Sequence, residues 1–179
     1  MRAASSDRQA LRPAEFGPVG RTLLAITRFL AICGGLVLVG LVAMSIVSIT
    51  GRKLIATPVP GDVEVLQMLA AVAGACFFAY CHLVNGDVKV DFFTAHAPPR
   101  LQAALDAVGS VLMTAFGLLI AWRTLAGAMS LREVGETSAI LGWPVWIAQA
   151  LMVPGFLLLA AAGAYMLTRR LEAVFGSRQ

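Results

Sequence analysis

The sequence predicts an all-α integral membrane protein with four transmembrane helices. Four apolar segments, at residues 22–50, 65–84, 101–122 and 144–168, fill most of the 179-residue chain. A bilayer core about 30 Å thick requires about 20 apolar residues of helix to cross it. Because hydrocarbon offers no hydrogen-bonding partner, a single chain segment inside it must be helical. The composition agrees, since 59% of the residues are hydrophobic and only 13% are charged.

The first predicted span follows a polar stretch that contains Pro13 and Pro18. We expect residues 1–20 to form a cytoplasmic leader, residues 21–170 the membrane domain and residues 171–179 a cytoplasmic tail. Residues 29–50 contain no acidic or basic side chain. This stretch is much longer than the apolar core of about 7–15 residues in a signal peptide, so we expect the first helix to be retained.

A turn rich in proline and glycine separates the first two predicted spans. It contains Pro58, Pro60 and Gly61, which together predict a stiff connection. Glu64 stands at the start of the second span, where a carboxylate complements the positive end of the helix dipole. Arg52 closes the first span on the same side of the membrane. Arg52 and Glu64 therefore either form an ion pair across the turn or remain two separate, solvated charges.

The second connection begins at Asn85-Gly86, a sequence that stops helices. Residues 87–93 follow, with charged and apolar residues in alternation, and they include Asp91. Pro98-Pro99 then starts the third helix. We expect a short amphipathic helical start at the cytoplasmic interface before this helix enters the bilayer. The apolar face of this start contains Leu101, Leu105, Val108 and Leu112.

The third helix is predicted to end at Trp122 and the fourth to begin at Pro144, a residue suited to the first helical position. Glu136 lies in the glycine-containing connection between them. Trp143 and Trp146 lie at the start of the fourth span. All three tryptophans fall at the predicted outer interface, where this residue type is enriched.

The distribution of basic residues predicts the orientation. Ten of the 14 Lys and Arg residues lie in the two termini, in the first turns of the first span or in the second connection. Short cytoplasmic connections are enriched in basic residues, so we predict that both termini are cytoplasmic. An even number of spans also requires both termini on one side. The basic residues behind the net charge of +4 are therefore explained by the orientation of the chain in the lipid bilayer. No nucleic-acid partner is predicted.

The residues offer little material for catalysis or for a cofactor. Of the two histidines, His82 lies near the inner end of the second span and His96 lies in the cytoplasmic connection. A membrane haem usually needs two axial ligands that face each other. The three cysteines, at positions 33, 76 and 81, show no CxxC pair. The chain also lacks a nucleophile–base motif, a phosphate loop and zinc-ligand spacing. We predict no enzymatic activity and no cofactor.

The four spans also lack a polar pathway. Ionisable residues inside a membrane mark transport sites by default, and these interiors are nearly free of them. Small residues four apart permit close helix approach, either within the chain or on a partner subunit. Such pairs are Ala31 and Gly35, Ala70 and Gly74, and Ala160 and Ala164. A supporting subunit is favoured; a stand-alone small channel or exporter and a haem-bearing membrane anchor of an oxidoreductase are the alternatives.

The order of these features resembles the DctQ-like family, the small permease subunit of tripartite ATP-independent periplasmic (TRAP) transporters. The resemblance spans about residues 21–170. The chain differs at Asp87, where the family often has histidine, and at Pro60-Gly61, where an aromatic residue is common. The resemblance rests on Arg52, on Glu64-Val65-Leu66, on residues 85–91, on Pro98-Pro99-Arg100-Leu101 with Leu105-Asp106, and on Gly135-Glu136-Thr137-Ser138 with Leu141-Gly142, Pro144 and Trp146.

The resemblance implies a function that the residues alone do not. In such systems a periplasmic solute-binding protein delivers an organic acid, and a large TRAP permease subunit carries the substrate and ion sites. The small subunit supports that partner in the bacterial inner membrane, and an ion gradient, usually of sodium, drives uptake without ATP. On this resemblance we assign helix-end anchoring or subunit contact to five residues: Arg52, Glu64, Asp91, Glu136 and Trp146.

Overall fold

Four helices account for almost all of the described chain. The computed structural model describes residues 16–56, 59–84, 86 and 99–175. Each helix contains a stretch long and apolar enough to cross a membrane, which confirms the predicted all-α class with four spans. The β-type pairing in the described residues is a single isolated bridge between Thr137 and Pro144. The helices are α1 (Pro18–Ile55), α2 (Asp62–Leu83), α3 (Pro99–Val134) and α4 (Val145–Phe175).

Helix α3 differs most from its predicted bounds. It continues to Val134, whereas the sequence predicted an end at Trp122. Arg123 and Arg132 therefore lie within the helix and not in the connection. The reason is that a helix need not stop where the apolar segment ends, because arginine and leucine are good helix formers. The helix ends where Gly135 adopts the left-handed conformation, with φ 69°.

Both α1 and α3 are longer than a bilayer core. They contain 38 and 36 residues, which correspond to lengths of about 57 and 54 Å at 1.5 Å per residue. Their ends therefore extend beyond a hydrocarbon layer about 30 Å thick. Helix α3 runs from Pro99 without a break before its span. The interfacial position of its amphipathic first part stays a prediction.

Helix α4 lies at the centre of the bundle. It packs against α3 and against α2, while α1 packs mainly on α2. The order of helices across the bundle is thus α1, α2, α4, α3. Of the four spans, α4 has the largest buried share at 28% and α1 the smallest at 11%. Large apolar side chains such as Phe29, Leu36 and Trp122 are exposed on the outer surfaces, as expected for helices that face lipid or another subunit.

Small residues allow the neighbouring helices to approach α4 closely. Gly155 lies against α2, and a Cβ atom at this position would be 2.6 Å from the carbonyl oxygen of Ala75. Gly117 of α3 lies against α4 in the same way, with a Cβ position 2.9 Å from the Ala160 nitrogen. Lipid tails are as apolar as the side chains, so such close packing is a main source of helix association in membranes.

The small-residue pairs predicted from spacing are divided between the interior and the surface. Ala160 is buried at the contact between α3 and α4. A Cβ atom at Gly35 or Gly74 would meet nothing within 4 Å. Helix α1 instead approaches α2 through Gly34, whose Cβ position lies 3.2 Å from the Ala73 carbonyl oxygen. The spacing identified helices that can pack closely but did not identify the packed face.

The beginning of α1 and the end of α4 meet at one end of the bundle, which we call the terminal end. The rings of Phe16 and Tyr165 form a T-shaped contact with centroids 5.7 Å apart. The Tyr165 ring also lies directly against Gly20, so that a Cβ atom there would overlap it. Tyr165 in turn packs on a buried cluster that includes Leu83 and Met166. The opposite end, which carries the first and third connections, is the loop end.

Gly20→Val is expected to separate the first turns of α1 from α4. The new side chain would occupy the space of the Tyr165 ring, and the displaced ring would open the cluster around Met166. We expect a loss of about 1–3 kcal/mol in the free energy of unfolding, as for other overpacked cores. Thermal unfolding in detergent measures it. Gly17→Val is the control, because a Cβ atom at Gly17 meets nothing within 4 Å; equal losses for both variants would contradict the prediction.

Candidate functional site

The first and third connections contact each other at the loop end of the bundle. Gly61, directly before α2, adopts the left-handed conformation with φ 72°. The side chain of Leu141 lies on this glycine, and a Cβ atom there would be 2.5 Å from the Leu141 Cγ atom. The residues that join the two connections form what we call the loop cluster. Its members are Ser48, Arg52, Gly61, Asp62, Glu64, Ser138, Ile140 and Leu141.

Glu64 fastens the third connection to the start of α2. Its carboxylate accepts hydrogen bonds from the backbone N–H groups of Ile140, at 2.9 Å, and Leu141, at 3.3 Å. The Ser138 hydroxyl also interacts with this carboxylate. Hydrogen bonds to a charged group are stronger than bonds between neutral groups, although water weakens them at a partly exposed position such as this one. The position of Glu64 in the first turn of α2 also suits the helix dipole.

Arg52 pairs with Asp62 and not with Glu64, so the ion pair that was one of the two alternatives for Arg52 and Glu64 does not form. The guanidinium nitrogen of Arg52 lies 3.6 Å from Asp62 Oδ2. Side chains two positions apart on a helix do not face each other, so Asp62 points toward α1 while Glu64 points toward the third connection. Arg52 is 61% exposed, so solvent screens the pair and its contribution to stability is small.

Ser48 is the part of the cluster that sequence reasoning missed. It is fully buried near the end of α1. Its hydroxyl donates to Asp62 Oδ2 at 2.5 Å and accepts from the Val59 N–H at 3.3 Å. One hydroxyl therefore links the end of α1, the first connection and the start of α2. The available signal was a serine in a long apolar run, because a buried hydroxyl needs a hydrogen-bonding partner.

The third connection is held in a compact turn by its own hydrogen bonds. The Ser138 N–H donates to the Trp143 carbonyl at 2.8 Å, and the Trp143 N–H donates to Ser138 Oγ at 3.3 Å. Gly142 occupies the left-handed region with φ 66°, and its N–H donates to the Ser138 carbonyl at 3.1 Å. The Glu64 carboxylate thus binds the backbone of an already ordered turn.

Trp146 joins α4 to α3 just beyond this turn. The Arg132 guanidinium carbon lies 5.3 Å from the centroid of the Trp146 ring. A cation–π contact of this kind contributes about 0.5–1 kcal/mol at an exposed site. Arg132 can make it because α3 continues past its apolar segment. Trp146 lies in the first turn of α4 and is half-buried.

A sequence model of one protein family matches the part of the chain that contains the loop cluster. The family is described as "Tripartite ATP-independent periplasmic transporters, DctQ component", and the match covers residues 41–173, well over half of the chain. The chain belongs to this family. No curated protein and no solved structure matches it. The resemblance inferred from the order of residues is confirmed, and the DctQ match includes the whole loop cluster.

The five residues assigned to anchoring in this DctQ-family chain differ in what surrounds them. Arg52, Glu64 and Trp146 have the contacts described above. Glu136 is the second residue after α3; its side chain is exposed, and its backbone N–H donates to the Leu131 carbonyl at 3.1 Å. Asp91 lies outside the described residues. The structure brings Arg52 and Glu64 into one cluster through Asp62 and Ser48, not through a direct contact.

The described part of the chain holds no group of three or more His, Cys, Asp or Glu residues that could bind a metal ion. His82 is buried near the end of α2. Cys33, Cys76 and Cys81 are free thiols. The contacts of the loop cluster are hydrogen bonds and one ion pair that join helix ends.

Gly61→Ala is expected to destabilise the loop cluster. The left-handed conformation costs a non-glycine residue about 1–2 kcal/mol, and the new methyl group would overlap Leu141. Gly135→Ala is the matched control, since Gly135 has φ 69° but open space around its Cβ position. Denaturant unfolding should show the larger loss for Gly61→Ala. If the two losses were equal, the contact with Leu141 would have no energetic role.

Proposed function

We propose that this chain is the small membrane subunit of a TRAP transporter. It supports the large permease subunit during ion-gradient-driven uptake of an organic acid that a periplasmic solute-binding protein delivers. The observation that carries the proposal is the DctQ match over residues 41–173. We place the chain in the bacterial inner membrane, with both termini cytoplasmic and the loop end periplasmic, because most basic residues lie on the side of the termini.

The charge distribution along the spans supports a subunit without a transport pathway of its own. Each span contains a long stretch free of Asp, Glu, Lys and Arg, at residues 29–51, 65–86, 107–122 and 145–168. Intramembrane ionisable residues are the usual sites for substrate and coupling ions. The substrate and ion sites would then belong to the large permease.

The loop cluster supports a role in subunit contact. It orders the third connection, and that connection carries the exposed apolar side chains of Ile140 and Trp143. A fixed turn loses less conformational entropy on binding than a free one, so it is a better contact surface. In this proposal Arg52, Glu64 and Trp146 anchor the helix ends that present the surface, and Glu136 contributes a charged contact there. Asp91 contributes a charged contact on the opposite, cytoplasmic side.

Affinity purification of the tagged chain from its native membrane in mild detergent tests the proposal. A much larger polytopic partner in stoichiometric amount, identified by mass spectrometry, is the expected result. Recovery of the chain alone, together with transport by the chain alone in liposomes, would overturn it in favour of a channel or exporter. A haem absorption band in the purified chain would instead indicate a membrane anchor of an oxidoreductase.

A further inference from the structure

An open groove of about 390 Å³ runs along the first part of α1, near the terminal end of the bundle. It is distant in sequence from every residue of the loop cluster. Two of its six described lining residues are basic and four are apolar. The described residues that line it are Arg21, Leu24, Ala25, Arg28, Phe29 and Ile32.

The two arginines are placed for one ligand in the lipid headgroup layer. Arg21 and Arg28 are seven residues apart, so they lie on one face of α1 about 10 Å apart along its axis. Both are exposed. Residues 29–51 carry no charge, and these 23 positions form about 34 Å of helix, enough to cross the hydrocarbon. Arg28 therefore lies at the edge of the hydrocarbon and Arg21 lies in the headgroup layer.

Two of the apolar lining residues, Phe29 and Ile32, lie on the hydrocarbon side of Arg28, and the other two, Leu24 and Ala25, lie between the arginines. Phe29 is 66% exposed and Ile32 is 55% exposed, although both line the groove. No acidic side chain is among the described lining residues. Within the described part of the chain, neither Arg21 nor Arg28 forms a salt bridge. The groove therefore presents two positive charges toward the headgroup layer and, beyond Arg28, an alkyl-binding surface toward the acyl chains.

We propose that this groove is a binding site for an anionic phospholipid. Arg21 and Arg28 bind the phosphate group, and an acyl chain lies along Phe29 and Ile32. An acidic protein segment would match the arginines but would have to place carboxylates at the edge of the hydrocarbon, which is costly. A phospholipid matches both the arginines, through its phosphate, and the apolar residues, through its acyl chain. The inference requires only that α1 crosses a membrane, so it does not depend on the proposed transport function.

Native mass spectrometry of the delipidated, purified chain tests the site. Phosphatidylglycerol and phosphatidylcholine with identical acyl chains are added in turn at equal concentrations. We expect tighter binding of phosphatidylglycerol. Each arginine near a charged headgroup should contribute about fivefold in affinity, so Arg21→Gln with Arg28→Gln should weaken phosphatidylglycerol binding by about 30-fold. Phosphatidylcholine binding should change little.

Two further variants keep the test decisive. Arg123→Gln removes an exposed arginine from α3 and should leave phosphatidylglycerol binding unchanged. Arg21→Lys with Arg28→Lys keeps both charges and should retain most of the binding, even where the glutamine variant folds poorly. Equal binding of the two lipids by the unaltered chain, or an equal loss with Arg123→Gln, would overturn the site. Unchanged lipid binding by the glutamine variant with loss of a co-purified protein would assign the groove to a protein contact instead.

Discussion

Gly155→Ala is expected to weaken the centre of the bundle, although a single methyl group is all that it adds. The new Cβ atom would lie 2.6 Å from the carbonyl oxygen and 2.8 Å from the carbonyl carbon of Ala75. These are backbone atoms, which cannot rotate away as a side chain can. Helix α4 or α2 would have to move, and the buried cluster of Ala75, Ala79 and Phe156 lies at the same contact. We expect a loss of about 1–3 kcal/mol.

Gly74→Ala is the matched control on the facing helix. A Cβ atom at Gly74 meets nothing within 4 Å, and alanine is a better helix former than glycine by about 1 kcal/mol. The control should therefore leave stability unchanged or raise it, while Gly155→Ala lowers it. Denaturant unfolding of both variants in the same detergent gives the comparison. A change of the same sign in both variants would contradict the close approach of α4 to α2.

Glu64→Ala is expected to release the third connection from α2. The backbone N–H groups of Ile140 and Leu141 would lose their charged acceptor, so we expect a lower free energy of unfolding, with a modest loss because water can replace the carboxylate at this partly exposed position. On the proposed function, the loosened turn would lower the yield of the complex with the large permease. Substrate selectivity should stay the same, because it would reside in the partners.

Two controls separate local stability from subunit contact. Glu133→Ala removes an exposed carboxylate from the same end of the bundle and should affect neither unfolding nor complex yield. Glu64→Gln keeps one carbonyl oxygen as an acceptor and should be intermediate. A normal complex yield with altered selectivity would contradict the anchoring role of Glu64. Unchanged stability with a lost complex would mean that Glu64 contacts the partner and not the turn.

Only part of the loop cluster could be predicted from the sequence. The position of Arg52 at the end of α1 and of Glu64 at the start of α2 predicted charged groups at one end of the bundle. Arg52 and Glu64 do not pair with each other, because Asp62 and Glu64, two residues apart, face different directions on the helix and Asp62 is the one that faces Arg52. The role of Ser48 followed only from its burial beside Asp62. The contact between Gly61 and Leu141 joins residues 80 positions apart, which no local pattern connects.

The four long apolar segments were enough to establish the class of this protein, since hydrocarbon forces such segments to be helices. The order of charged and turn residues along the chain was enough to indicate the family. Which face of each helix is packed could be seen only once the helices were placed against one another. In a soluble protein the apolar face marks the core, but these helices are apolar on every side and their sequence carries little information about the packed face. Gly155 is packed against α2, whereas Gly74 faces open space. Both lie in apolar helices rich in small residues, so their spacing in the sequence could not distinguish them.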